Sequence, residues 1–329
     1  MKKLFLCSLL FTSMLLTAQA QSYCVLGGDE QEVLEESDMH KCQSVASISK
    51  IMTALLAIEH GNLEDTWNVS DAILQADGSS LYLRVGQKVS LKSLLYGLML
   101  RSGNDAAIEI AQHVGNDVTH FVEMMNERAK EIGMVDTIFH NPSGLDETDG
   151  GNISSAYDMA LLMSTAMKNP MFQEVTGSKY YTTEWNLRWK NKNKLLFDYG
   201  KTTGGKTGFT KKAGRTLVSS ASDESLQSIV VTLNMADDFV FHETKHDTIF
   251  QAYQGYELVK EGTYHIQGYE VIIPQSIHIA LKQDGSDTLQ VASEIQNNTY
   301  ILTLTKNGNV KTFTFEAEKM KHKRGGWFS

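Results

Sequence analysis

The chain has 329 residues, with 30 Lys and Arg against 39 Asp and Glu, 42% apolar residues and three prolines. That length accommodates two domains and a sizeable core, and a chain so poor in proline and free of low-complexity tracts is neither linker-dominated nor disordered. Its acidity suits a phosphate backbone badly, because that binding rests on Lys and Arg, so no nucleic acid is expected as a partner.

Residues 1–20 read as a secretory signal: Lys2 and Lys3, an apolar run from Leu4 to Leu16, then Ala18-Gln19-Ala20 as a small-x-small cleavage site. The run is too short for an anchor and cleavage is the preferred reading, which places the protein outside the cytoplasm, in the cell envelope or secreted. Cleavage removes two lysines and no acid, leaving 28 basic against 39 acidic residues and a formal charge of −11. Cys7 departs with the signal. Cys24 and Cys42 remain, and both a disulfide and two free thiols are compatible with their number.

In chain order, Tyr23–Leu26 and Glu32–Leu34 flank Gly27-Gly28-Asp29 as a hairpin. Ile48, Ile51, Met52, Leu55 and Leu56 then recur at helical spacing up to Gly61, and the same periodicity runs through Leu91–Leu100, Ala106–Val114, Phe121–Ile132 and Ala156–Met167. Strands follow at Gly214–Ser220 and Ser228–Leu233, then a helical stretch over about Asp238–Val259. The order predicts an α/β domain with an antiparallel sheet flanked by helices over 21–259. Beyond Lys260-Glu261-Gly262, short alternating runs (Tyr269–Ile273, Ile277–Leu281, Thr288–Val291, Tyr300–Leu304, Thr312–Phe315) predict a small all-β domain over 260–329. It ends in a basic and aromatic tail (Lys319, Lys321, Lys323, Arg324, Trp327, Phe328), for which a solvated terminus is preferred over weak contact with a membrane or envelope surface.

Ser47-Ile48-Ser49-Lys50 opens the first long helix. Serine is a weak nucleophile without a base in reach, and a lysine three residues on shares its helical face. The positive end of the helix disfavours an ammonium there and biases Lys50 toward the proton-accepting amine. Alone the motif means little, since roughly two chance matches are expected in such a chain. Two further elements follow in order: Ser102-Gly103-Asn104 between helical patterns, and Lys206-Thr207-Gly208 on a predicted strand. Together they form the set found in penicillin-recognising serine enzymes, with Ser-Gly-Asn for Ser-Asp-Asn.

The chain here resembles the serine-type D-alanyl-D-alanine carboxypeptidases among the low-molecular-mass penicillin-binding proteins, of the beta-lactamase/transpeptidase-like fold. The likeness includes Ala46–Thr53, Gly78-Ser79-Ser80-Leu81, Leu98–Ala107, Asn141-Pro142-Ser143-Gly144-Leu145-Asp146, Asn193–Leu196 and Lys206–Thr210, and covers about residues 23–258. The resemblance implies that Ser47 attacks the penultimate D-alanine carbonyl of a peptidoglycan stem peptide, with Lys50 taking its proton. It further implies that Ser102 relays a proton to the leaving D-alanine and that Asn104 holds the substrate amide. Lys206 and Thr207 would bind the terminal carboxylate, and the N–H groups of Ser47 and Phe209 would form the oxyanion hole. It also implies inhibition by beta-lactam antibiotics and no cofactor or metal.

Other readings compete. His242-Glu243-Thr244-Lys245-His246 fits the helical zinc-protease signature, but Asp247 follows where the extended signature has another pattern, and a packing helix is preferred. No Gly-x-Ser-x-Gly elbow supports a Ser-His-Asp hydrolase. A non-catalytic peptidoglycan-binding module would have lost the serine or the lysine most easily, and both are present. The methionines at 124, 125, 134, 159, 163 and 167 are read as core filler, and Trp185 and Trp189 as packing rather than groove-lining. Asp146, Glu147 and Asp149 are read as a solvated acidic turn.

Overall fold

Alternating apolar side chains decide the central sheet of the computed structural model, which describes residues 21–29, 31–146 and 151–320. Strands β1 (Ser22–Gly27) and β2 (Glu32–Ser37) form the expected hairpin, and β3 (Thr202–Thr210), β4 (Gly214–Asp223) and β5 (Leu226–Leu233) follow much later. They assemble in the order β2-β1-β5-β4-β3, antiparallel throughout. Cys24, Leu26, Val218, Ile229, Val231 and Leu233 point into one core, while the intervening Val25, Leu217 and Val230 point into another. Both faces are therefore dry, which is why the Ile-Val-Val run of β5 is continuous rather than alternating with polar residues.

The first core is the helical lobe: α1 (Lys50–His60), α2 (Leu91–Tyr96), α3 (Asn104–Val114), α4 (Val118–Ile132) and α5 (Ala156–Ala166). Asp117 caps α4 and Ser155 caps α5 through side-chain acceptance of backbone N–H groups, as expected of those residue types. Met125, Met134, Met159, Met163 and Met167 are buried in this core, as is Trp189, with Met124 and Trp185 packed against it. The second core lies under α6 (Asp238–Ala252), which contributes Ile249 and Phe250.

The helical expectation for Asp238–Val259 is corrected at its end. The helix stops at Ala252, and β6 (Tyr253–Val259) pairs antiparallel with a later strand. Gly255 explains the switch: a Cβ there would stand 1.9 Å from the Ser225 carbonyl oxygen, so the chain passes against the turn before β5 as extended backbone. After β6 come β7 (Gly262–Ile266), unforeseen in the sequence, then β8 (Tyr269–Ile273), β9 (Ile277–Lys282), β10 (Leu289–Gln296), β11 (Thr299–Lys306) and β12 (Asn309–Lys319). Five of these form a second sheet in the order β7-β8-β12-β11-β10, around a small core including Val271, Ile273, Tyr300 and Leu302.

The expected signal, Glu147 and Asp149, and the tail residues Lys321, Lys323, Arg324, Trp327 and Phe328 lie outside the described residues. Among those described, no helix is long and apolar enough to cross a membrane, and Cys24 and Cys42 are both free thiols. Asp146 accepts a hydrogen bond from Ser44 Oγ at 2.7 Å.

One buried cation joins the β1–β2 turn to the C-terminal strands. Lys306, 4% exposed, donates to Glu32 and to the Ala280 carbonyl and stands 3.5 Å from Asp287, itself 5% exposed. Lys306→Met leaves Asp287 without its cation and is expected to cost about 3 kcal/mol. Urea denaturation checks this, and adding Asp287→Asn should recover part of the loss.

Candidate active site

Ser47, the nucleophile expected from the sequence, sits on a tight turn built for closeness. Ala46–Ser49 is a single 3-10 turn leading into α1, and Ala46 adopts φ 51°, a left-handed conformation unusual outside glycine. In a 3-10 turn residues i and i+3 eclipse, so Ser47 and Lys50 face one another, with Oγ and Nζ 3.1 Å apart. The loop 141–146 braces this turn. Gly144, at φ 76°, comes so near that a Cβ would stand 2.0 Å from the Ala46 carbonyl oxygen, so only glycine fits. Ser49 Oγ donates to that same carbonyl and accepts from Asn152 Nδ2.

Lys50 is fully buried. Its Nζ donates to Asn104 Oδ1 at 2.6 Å and to the Ser143 carbonyl. A neutral amine has two N–H bonds and one lone pair. With both N–H groups committed to these acceptors, the lone pair is left to face Ser47 Oγ. Burial is the largest influence pulling Lys50 well below the usual lysine range, followed by the charges of Lys206 and Lys192, and opposed by Asp105.

Ser102 and Asn104 come from the break between α2 and α3. A π-helical turn, Gly97–Arg101, ends at Ser102 in the left-handed conformation, φ 64°, and α3 begins two residues later. Both ends of the Asn104 amide are engaged within the protein, since Nδ2 donates to the Asp77 carbonyl at 2.5 Å. Its neighbour Asp105 is buried and accepts from Ser80 Oγ and from the N–H groups of Leu81 and Leu83. It thereby holds the loop that carries Ser79 to the cleft.

Lys206 lies buried on β3, donating to Ser102 Oγ at 3.0 Å and to the Thr207 carbonyl at 2.7 Å. Burial, then the Lys192 charge, lower its pKa to about 7. A cleft of about 620 Å³ gathers Ser47, Ser102, Thr207 and Phe209, the last 67% exposed. Gly208 lets β3 approach Ser47, because a Cβ there would stand 2.4 Å from Thr216 Oγ1 and 3.0 Å from Ser47 N. All seven residues expected from the sequence thus border or build one site. Sequence reading assigned no role to Ser143, Asp105 or Lys192; the first two stand within quoted motifs, but their contacts are made by tertiary folding.

The rival zinc motif is spent elsewhere. His242 pairs its ring nitrogens with Ser219 Oγ and Thr232 Oγ1, and His246 pairs its own with Ser219 Oγ and Ser228 Oγ, between α6 and the sheet. Glu243 points to solvent. Burial pushes both imidazoles down, His246 to about 3, so they remain neutral packing groups. Among the described residues no group of three His, Cys, Asp or Glu is placed to hold a metal.

The profile of the D-alanyl-D-alanine carboxypeptidase family matches residues 11–237. The carboxypeptidase DacF of Bacillus subtilis is 28% identical, over 95% of this chain and 88% of its own length. DacB2 of Mycobacterium tuberculosis is 34% identical over 62% of this chain and 70% of its own. Among solved structures, penicillin-binding protein 5 of Haemophilus influenzae shares the fold with a TM-score of 0.73, 22% identity, and coverage of 92% of this chain and 97% of its own. Ampicillin-bound penicillin-binding protein D2 of Listeria monocytogenes superposes with a TM-score of 0.62 at 27% identity, covering 68% and 93%.

Two outcomes follow from this geometry. Gly208→Ala is expected to slow acylation by a fluorescent penicillin at least 100-fold, by forcing β3 away from Ser47, measured as labelling rate. Lys206→Met is expected to inactivate and yet stabilise. Below pH 7 the lysine is charged folded and unfolded, and the fold carries the full cost of the buried ammonium. Between about 7 and 10.5 only the unfolded chain holds the extra proton, so wild-type stability rises with pH. The melting-temperature advantage of Lys206→Met should therefore be greatest at and below pH 7 and vanish near pH 10.5; a variant less stable than wild type at pH 6 contradicts this.

Proposed function

The chain belongs to the D-alanyl-D-alanine carboxypeptidase family, and on that premise we propose how its residues divide the work of the reaction. It is a serine-type carboxypeptidase and penicillin-binding protein that removes the terminal D-alanine from peptidoglycan stem pentapeptides and is acylated by beta-lactams. The observation carrying the assignment of roles is the buried Lys50 amine, held by Asn104 Oδ1 and the Ser143 carbonyl with its Nζ 3.1 Å from Ser47 Oγ.

Ser47 Oγ attacks the penultimate D-alanine carbonyl carbon as its proton passes to Lys50 Nζ. The developing oxyanion is taken by the Ser47 and Phe209 N–H groups, and Gly208 keeps that space open. The tetrahedral adduct collapses with breakage of the C–N bond. Ser102 relays to the departing amine the proton that Lys50 took from Ser47, which frees the Lys50 amine again, and Lys206, 3.0 Å away, holds the Ser102 hydroxyl in place. Lys206 and Thr207 bind the terminal carboxylate. Asn104 acts first on the enzyme itself, orienting Lys50. Water, deprotonated by Lys50, then hydrolyses the ester and returns the proton to Ser47.

Such a substrate places the work outside the cytoplasmic membrane, and we read residues 1–20 as the cleaved signal that sends the protein there. Residues 21–259 are read as the catalytic domain and 260–329 as an accessory β domain. The intact Ser47–Lys50 pair favours an enzyme over a peptidoglycan-binding module.

Wild-type protein is expected to release D-alanine from a pentapeptide ending in D-Ala-D-Ala and to bind fluorescent penicillin covalently, while Ser47→Ala does neither. Labelling of that variant at the wild-type rate would falsify the assignment. Burial draws Lys50 well below the usual lysine range, while carboxylate binding needs Lys206 protonated. Steady-state kcat/KM should therefore fall about tenfold per pH unit above a midpoint near 7.

A further inference from the structure

The outer end of the cleft carries charges that this mechanism does not use. Lys194, Arg215, Asp237, Phe239 and Val240 line it. Its hub is the Phe239 ring: Lys194 Nζ stands 5.9 Å from the ring centroid and the Arg215 guanidinium 5.4 Å, so two cations from separate strands of chain converge on one spot. Arg215 is paired at 2.6 Å with Asp238, a carboxylate only 2% exposed, so its charge is largely spent. Lys194 and Asp237 are not spent. Both are exposed, no ion pair joins either to a described residue, and Asp237 heads α6 without capping it through its side chain. A cation and an anion thus face the same end of a catalytic cleft with the apolar Val240 and Phe209, 68% and 67% exposed, beside them.

A simple anion would meet Lys194 but also be repelled by Asp237, and a simple cation would meet the reverse. A group bearing both charges on an aliphatic stem satisfies every member. We propose that this end of the cleft is a specificity subsite for a stem-peptide side chain ending in an α-amino-acid zwitterion. The carboxylate goes to Lys194 on the Arg215 side of Phe239, the ammonium to Asp237, and the methylenes to Val240 and Phe209. The proposal rests on the carboxypeptidase reading: with the scissile D-alanine carbonyl at Ser47, the preceding residue is about 3.4 Å further along an extended peptide and its long side chain reaches the rim. A lysine side chain at that position offers the ammonium without the carboxylate, and amidation removes the carboxylate's charge.

The test compares two pentapeptides ending in D-Ala-D-Ala that differ only at the third residue, meso-diaminopimelate in one and lysine in the other. The readout is the ratio of their kcat/KM values on a single enzyme preparation, so a general loss of folding or activity cancels. Wild type is expected to favour the diaminopimelate peptide about tenfold, the worth of one charge-assisted contact. Lys194→Met and Asp237→Asn should each bring the ratio toward one, and amidating the diaminopimelate should mimic Lys194→Met on wild type while adding nothing in that variant. Arg215 is left intact because its removal would strand the buried Asp238. A wild-type ratio within twofold of one, or a ratio unchanged in both variants, overturns the subsite while D-alanine release upholds the carboxypeptidase. Release from neither peptide overturns both.

Discussion

Two lysine amines are buried at the head of one cleft, and neither forms an ion pair with a described residue. Burying an ammonium without a counter-charge is among the costliest things a fold can do, and the least costly escape is to give up the proton. The rest of the site can be understood as what makes that escape productive. Burial pulls Lys50 well below the usual lysine range, with the Lys206 charge adding to the push, while burial and the Lys192 charge bring Lys206 only to about 7. In the proposed mechanism one lysine thereby serves as the base and the other as the anion-binding cation, from the same residue type in the same cavity.

A neutral amine still has to be aimed. The acceptors that aim Lys50 come from α3 and from the 141–146 loop, while the partners of Lys206 come from the turn before α3 and from β3 itself. These segments are far apart in the chain, so the constellation exists only when the helical lobe has closed against the sheet. Asp105 extends the dependence outward by pinning the 80–83 loop, and Gly144 extends it inward by letting the 141–146 loop touch the nucleophile turn. Catalytic geometry and lobe packing are thus one constraint.

This explains which parts could be read in advance. Helices α1 to α5 carry local periodicity, and the three motifs carry chemistry in contiguous residues, so both were legible without tertiary information. The end of α6 was not, because what turns Tyr253–Val259 into a strand is the passage of Gly255 over Ser225, a contact between distant segments. The His242 and His246 pair was legible as a motif yet ambiguous in meaning until Ser219, Ser228 and Thr232 were seen to occupy the rings. The bias of Lys50 away from an ammonium was expected from the helix end, whereas the causes the structure shows are burial and the charges of Lys206 and Lys192, and none of these is a property of the motif alone.

The position of β3 completes the argument. It is the edge of the central sheet, paired to β4 on one side only. Exposed edges invite pairing with other chains, and proteins usually blunt them. Here the strand runs beside Ser47, and Gly208 lets it come that close, because a Cβ there would meet Thr216 and the Ser47 backbone. An extended peptide laid against this edge would meet unpaired backbone hydrogen-bonding groups beside Ser47, as in recognition by strand addition. That mode reads backbone rather than side chains, so it can present any stem peptide to Ser47 but cannot choose among them. Selectivity must then come from groups beyond the edge, and the charges around Phe239 line the same cleft as Ser47.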